Sequence, residues 1–134
     1  RLEQLVDELG LAGRVDLPGY KKNVQPYVAK SDLFVLSSDF EGMPNALLEA
    51  VAVGVPVVST DCLSGPAEIL QQGKGGLLVP VGDAGALSDA IVNELKDVSG
   101  AISRQRVAAE KLGEFEYQRI MQKYEDLLKK VAYA

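Results

Sequence analysis

Two carboxylates separated by seven residues, Glu41 and Glu49, are the side chains of this sequence best placed to do chemistry. Glu41 ends a polar stretch, Ser37-Ser38-Asp39-Phe40, and is followed by Gly42, Met43 and Pro44. Pro44 suits the first position of a helix, where its missing N–H is not needed. The N–H groups of Asn45, Ala46 and Leu47 then stay free and carry the positive end of the helix dipole, a place for an anion such as a diphosphate. Gly42 allows a sharp turn and close approach of a ligand. A competing reading gives Glu41 only the favourable field of a helix N-terminus, about 0.3 to 1 kcal/mol.

Glu49 raises a sharper question. Every other residue from position 46 to 53 is Ala, Leu or Val, so the helix reads as apolar nearly all round and is expected to be buried. A buried carboxylate without partners costs several kcal/mol or takes up a proton. Asn45, four residues earlier, shares its helix face. At the helical rise, Glu49 stands about 7 to 8 Å along the axis from Pro44, which suits phosphates at the helix tip and the paired hydroxyls of a ribose further along. The competing reading is a structural ion pair with a Lys or Arg elsewhere in the chain.

The elements that must position these residues follow from periodicity. Leu2, Leu5, Val6 and Leu9 have helical spacing and are stopped by Gly10. Short apolar runs at 14–17, 33–36, 57–59 and 76–79 read as strands, with helical patterns between them at 24–30, 44–53 and 66–72. This alternation predicts an α/β, Rossmann-like parallel sheet with helices on its faces. Loops at the carboxyl ends of such strands line the ligand crevice, and Glu41 lies in one.

After Pro80 only helices are expected. Asp83 caps a segment with Ala84, Leu87, Ile91 and Leu95 on one face, and two more follow at 99–112 and 114–131. The last carries Ile120, Tyr124, Leu127, Leu128 and Val131. Its opposite face mixes both charge signs, which favours a protein surface over a lipid one. The whole is read as one partial domain, 1–134, with 83–134 a helical extension.

Composition bounds the function classes. Hydrophobic residues at 47% and charged residues at 25% describe a globular chain. A net charge of −5 and scattered Lys and Arg argue against a nucleic-acid partner. No apolar run approaches the roughly 20 residues of a membrane span, and the acidic first residues do not read as a signal peptide, so a cytoplasmic location is expected. Cys62, the one cysteine, forms no internal disulfide. The sequence has no histidine, which removes Ser–His and Cys–His nucleophile pairs and the commonest metal ligand. The Gly-Lys-Gly-Gly stretch at 73–76 follows a helix and precedes a strand, the reverse of a P-loop's order, and reads as a turn.

Taken in order, Glu41-Gly42-Met43-Pro44, Glu49-Ala50, Gly54, Pro56-Val57-Val58 and Ser59-Thr60 resemble the retaining glycosyltransferases of the GT-B fold known as group 1 or family 4. The stretches at 65–70 and 75–80 match the succeeding family elements, and the likeness runs from about Leu5 to Tyr124. The resemblance implies that Glu49 hydrogen-bonds the ribose hydroxyls of a donor nucleotide. It implies that Glu41 lies beside the transferred sugar as the catalytic carboxylate. Gly42, Met43, Pro44, Asn45 and Ala46 would form the loop and helix tip that hold sugar and diphosphate, and Gly19, Tyr20 and Lys21 the loop that borders the nucleobase.

The resemblance also implies work without a metal or other cofactor; Asp39-Phe40-Glu41 is the nearest imitation of an Asp-x-Asp pair. The donor is expected to be a nucleotide diphosphate sugar, UDP rather than GDP, carrying a hexose or N-acetylhexosamine for a glycan or lipid-linked acceptor in polysaccharide biosynthesis. Two strands and a basic loop that relatives place ahead of the first helix, and an amino-terminal acceptor domain, are not in this sequence. It therefore reads as about the last third of an enzyme, inactive alone, whose parent works peripherally on the inner face of a membrane. The gap in the sheet is expected to close by repacking or by pairing of two copies along exposed strand edges. Rival readings are glycoside hydrolysis, which also uses two carboxylates but needs them flanking one bond, epimerases or phosphorylases of similar fold, and a non-catalytic nucleotide-binding or structural piece.

Overall fold

The computed structural model describes residues 1–132. Three parallel strands, β1 (Phe34–Leu36), β2 (Val57–Thr60) and β3 (Leu77–Val79), lie side by side in sequence order. Phe34 is level with Val57, and Val58 with Leu77. Every residue of β2 is buried, as a central parallel strand covered on both faces must be. Its side chains alternate: Val57 enters one core with Leu47, Ala50, Val51, Ile69, Leu70 and Ala108, while Val58 enters a second with Val79 and Ala90.

Seven helices are formed among the described residues: α1 (Leu2–Glu8), α2 (Gln25–Val28), α3 (Asn45–Val53), α4 (Pro66–Ile69), α5 (Ala84–Lys96), α6 (Val98–Glu110) and α7 (Tyr117–Ala132). A 3-10 turn, Leu112–Phe115, precedes the last. Helices α3, α4 and α6 cover the Val57 face, and α5 covers the Val58 face. The result is a Rossmann-like arrangement of helix, sheet and helix layers.

The run at 14–17 forms no strand. The N–H groups of Arg14 and Val15 are taken by Leu11 O at 2.9 and 3.2 Å, turning the chain, and Val15 and Leu17 are exposed. The sheet therefore ends at β1, and the expected repacking across its gap does not occur within the chain. Phe34 donates to Pro56 O at 2.9 Å, so the alternation of a parallel ladder aims the N–H and C=O of its neighbour Val35 at the open edge. Helix α4 is shorter than the 66–72 pattern because Gln71 and Gln72 take left-handed backbone, φ 51° and 58°. Residues 73–76 form turns, as their order of elements implied.

Asp83 does cap α5, accepting Ala86 N–H at 2.8 Å. Asp83→Ala is expected to lower stability by about 0.5 to 2 kcal/mol, read from the urea unfolding midpoint. The inward face of α5 is turned relative to the expected one: Ala90 and Glu94 are buried, while Ala84 and Leu95 are exposed. Helix α7 packs against the 3-10 turn and leaves Tyr124, Leu127, Leu128 and Val131 exposed. No helix among the described residues is long and apolar enough to cross a membrane.

Candidate functional site

Glu41 sits where the sheet geometry puts ligands, in the loop that leaves the carboxyl end of β1. The segment from Ser37 to Pro44 is not free coil. Thr60, the last residue of β2 and buried, donates its hydroxyl to Ser38 O at 2.5 Å. Ser38 in turn donates its own hydroxyl to Glu41 Oε1 at 2.7 Å. Ser64, from the loop after β2, donates to the main-chain carbonyl of Glu41 at 2.8 Å. Glu41 is thus held through both side chain and backbone, half-buried, and its Oε2 has no hydrogen-bond partner among the described residues.

Gly65 completes this mould. It is buried with φ +91°, and a Cβ there would stand 2.6 Å from Gly42 O and closer still to Pro44 Cδ. Pro44 itself is buried and is the N-cap of α3, not its first helical residue (φ −74°, ψ 92°). The extended ψ turns its carbonyl into the helix, where it accepts Leu47 N–H at 3.0 Å and Leu48 N–H at 3.2 Å. The N–H of Leu47 is therefore satisfied, and only those of Asn45 and Ala46 remain open at the helix tip, fewer than the three expected.

Glu49 departs from expectation. It is exposed, because α3 buries only Leu47, Ala50 and Val51 and leaves Asn45, Ala46, Glu49, Ala52 and Val53 on an open face. The inference from burial fails for a physical reason: small aliphatic residues tolerate exposure, and among the described residues no element buries that face. Asn45 and Glu49 do share the face, as the spacing required. Neither Glu41 nor Glu49 belongs to an ion pair among the described residues, so the competing structural reading of Glu49 finds no partner.

The acid that is sunk in the interior is Glu94, which sequence reasoning passed over. Its carboxylate is met by Arg104 Nε at 3.1 Å and Nη2 at 2.6 Å, and Arg104 also reaches Asp97 at 3.3 Å. This network joins α5 to α6 and is structural. The Asp97 carboxyl is held below its usual range, first by the Gly100 N–H at the start of α6 and then by Arg104.

Gly42 and Met43 lie exposed in the Glu41 loop, next to the helix tip. Gly19, Tyr20 and Lys21 are not brought to them: all three are exposed coil, and Gly19 lines a groove with Leu2 and Leu17 instead. Without a strand at 14–17, nothing anchors that stretch at the carboxyl edge of the sheet. Cys62 is buried among core residues. The residues missed by sequence reasoning are Ser38, Thr60, Ser64 and Gly65. The Ser-x-x-Glu spacing of 38 and 41 is the one local hint, but that spacing is known for side-chain bonds to backbone N–H groups, whereas here the two side chains bond each other.

A parallel sheet with a pinned carboxylate loop and an adjoining helix tip at its carboxyl end defines a Rossmann-like domain. The family model "Glycosyl transferases group 1" matches residues 1–97, and the chain belongs to that family. It is 40% identical over 98 residues to the lipopolysaccharide core biosynthesis glycosyltransferase LpsE of Rhizobium meliloti, covering 73% of this chain and 28% of that protein. An exopolysaccharide phosphotransferase of Streptomyces coelicolor is 38% identical over 128 residues, 95% of this chain and 14% of the other. Among solved structures, Anabaena HepE in complex with UDP superposes with a TM-score of 0.85 at 25% identity, over 96% of this chain and 36% of that one. The chain thus spans well under half the length of each.

Proposed function

We propose that this chain is the donor-binding part of a retaining glycosyltransferase that moves a hexose or N-acetylhexosamine from a nucleotide diphosphate sugar to a glycan or lipid-linked acceptor. The observation that carries the reading is the Glu41 carboxylate, one oxygen engaged by Ser38 and the other open, next to a helix tip with two free N–H groups. In this reading Asn45 and Ala46 N–H receive the diphosphate, and Glu49, on the open face of α3, accepts hydrogen bonds from ribose hydroxyls. Glu41 Oε2 faces the sugar, where a fixed negative charge favours the positive charge that develops as the bond to the diphosphate opens. The UDP complex of HepE, a protein of the same fold, favours UDP over GDP as the nucleotide.

The transfer is proposed to run without a metal, with an acceptor domain and a basic loop contributed by polypeptide outside these residues. The whole is proposed to act peripherally on the inner face of a membrane. In this setting the chain alone binds donor weakly and does not turn it over.

Isothermal titration of the chain with UDP, UDP-glucose and GDP tests this. UDP and UDP-glucose are expected to bind, GDP more weakly, and Glu49→Ala to weaken UDP by about tenfold or more, since hydrogen bonds to a charged group contribute about 1.5 to 3 kcal/mol. Absence of UDP binding at millimolar concentration, or full affinity in the Glu49 variant, would remove the reading and leave an inert structural piece.

A further inference from the structure

We propose that Ser38 is a positioning residue for Glu41, fixing which carboxylate oxygen is presented to the transferred sugar. The inference rests on the donor-binding reading above and deepens it. A serine hydroxyl has one hydrogen to give, and that of Ser38 goes to Glu41 Oε1 at 2.7 Å. An ionised carboxylate is a pure acceptor; this bond takes one acceptor site of Oε1, while Oε2 has no partner among the described residues and keeps its full capacity for a ligand hydroxyl or developing positive charge.

Ser38 is itself fixed from below. Thr60 also has a single hydroxyl hydrogen, and of its two carbonyl neighbours Ser38 O at 2.5 Å is far better placed than Leu36 O at 3.5 Å. Thr60 is 4% exposed and belongs to the central strand, so the relay Thr60 to Ser38 to Glu41 ties the carboxylate to a strand buried along its whole length. The Ser64 bond to the Glu41 carbonyl holds the backbone from the other side. With its backbone held in this way, the remaining freedom of Glu41 is rotation of its own side chain. Ser38 removes it. A carboxylate free to rotate would spend much of its time away from the sugar, whereas the nucleotide contacts at Asn45, Ala46 and Glu49 would be unaffected.

The role predicts a split between the sugar and nucleotide parts of the donor. In the full chain, Ser38→Ala is expected to weaken UDP-glucose by about five- to tenfold, the factor that one ordinary hydrogen bond represents, and to leave UDP within about twofold. Ser38→Thr, which keeps the hydroxyl, is expected to restore most of the loss. Unchanged UDP-glucose affinity in Ser38→Ala overturns the proposal, as does an equal loss for UDP and UDP-glucose, which would mark a collapsed loop. Carbon-13 relaxation of the Glu41 side chain gives a readout independent of any ligand. Loss of side-chain order confined to Ser38→Ala supports the clamp, and equal order in both proteins overturns it. A wild-type chain that binds no UDP or UDP-glucose but passes the relaxation test would instead sink the donor-binding reading and with it the role toward the sugar.

Discussion

Gly65→Ala is expected to abolish donor binding and to lower stability by about 3 kcal/mol or more. Two costs coincide at this position. Its φ of +91° lies where an L side chain is strained by about 1 to 3 kcal/mol. The added Cβ meets the Gly42 carbonyl oxygen at 2.6 Å and the ring of Pro44, and overpacking of this kind costs about 1 to 3 kcal/mol. Because Gly42 and Pro44 flank the helix tip, relief of the clash displaces the free N–H groups of Asn45 and Ala46. Gly82→Ala provides the comparison: its φ is +77°, but nothing lies within 4 Å of the added carbon, so strain alone acts. Denaturant unfolding of the two variants, with UDP titration of each, separates them. Equal midpoints for Gly65→Ala and Gly82→Ala would show that Gly65 does not bear on the Gly42–Pro44 segment.

Arg104→Met is expected to cost about 3 to 5 kcal/mol, the usual consequence of removing one partner of a buried ion pair. The Glu94 side chain is 1% exposed and Arg104 26%, so the variant leaves a carboxylate enclosed by protein with its cation gone. The double variant Glu94→Leu with Arg104→Met is expected to recover most of the loss, because an apolar pair of similar volume is often as stable as the ions it replaces. Equilibrium unfolding of the three variants, Glu94→Leu included, closes the cycle. Asp97 adds an acid limit to the same network. Its folded-state pKa is depressed, so its contribution is complete above the ordinary value of 3.8 and is lost as pH falls through the lower folded value. Arg104→Met should weaken that acid dependence without removing it, since the Gly100 N–H remains.

The parts of the fold legible in the sequence are those with local causes. The β2 run, uncharged and with β-branched Val57, Val58 and Thr60, is a central strand, and Asp83 is a cap because a carboxylate stands where α5 begins with open N–H groups. The run at 14–17, Arg-Val-Asp-Leu, alternates charged and apolar residues as a half-buried strand would and yet is no strand, because a strand also needs a partner and periodicity does not report one. The two acids make the point more sharply. Glu49 sits among aliphatic neighbours and is exposed; Glu94 sits among Asn93, Leu95 and Lys96 and is buried. Burial of a helical residue depends on which face meets the sheet, and Arg104, ten residues further along the chain, makes the buried position of Glu94 tolerable. The Glu41 loop was legible as a motif. The hydroxyls that hold it come from Ser38, Thr60 and Ser64, and two of these arrive from another strand and its loop, out of reach of any local pattern.

Helix α7 carries a bare apolar stripe and draws support chiefly from the 3-10 turn beside it and from local bonds such as Gln122 to Asp126 at 3.1 Å. A 16-residue helix without tertiary burial is close to the balance point between helix and coil in water. Near such a balance, a small free energy moves a large fraction of molecules. Covering that stripe is therefore expected to raise the helix content of α7, read from far-ultraviolet circular dichroism.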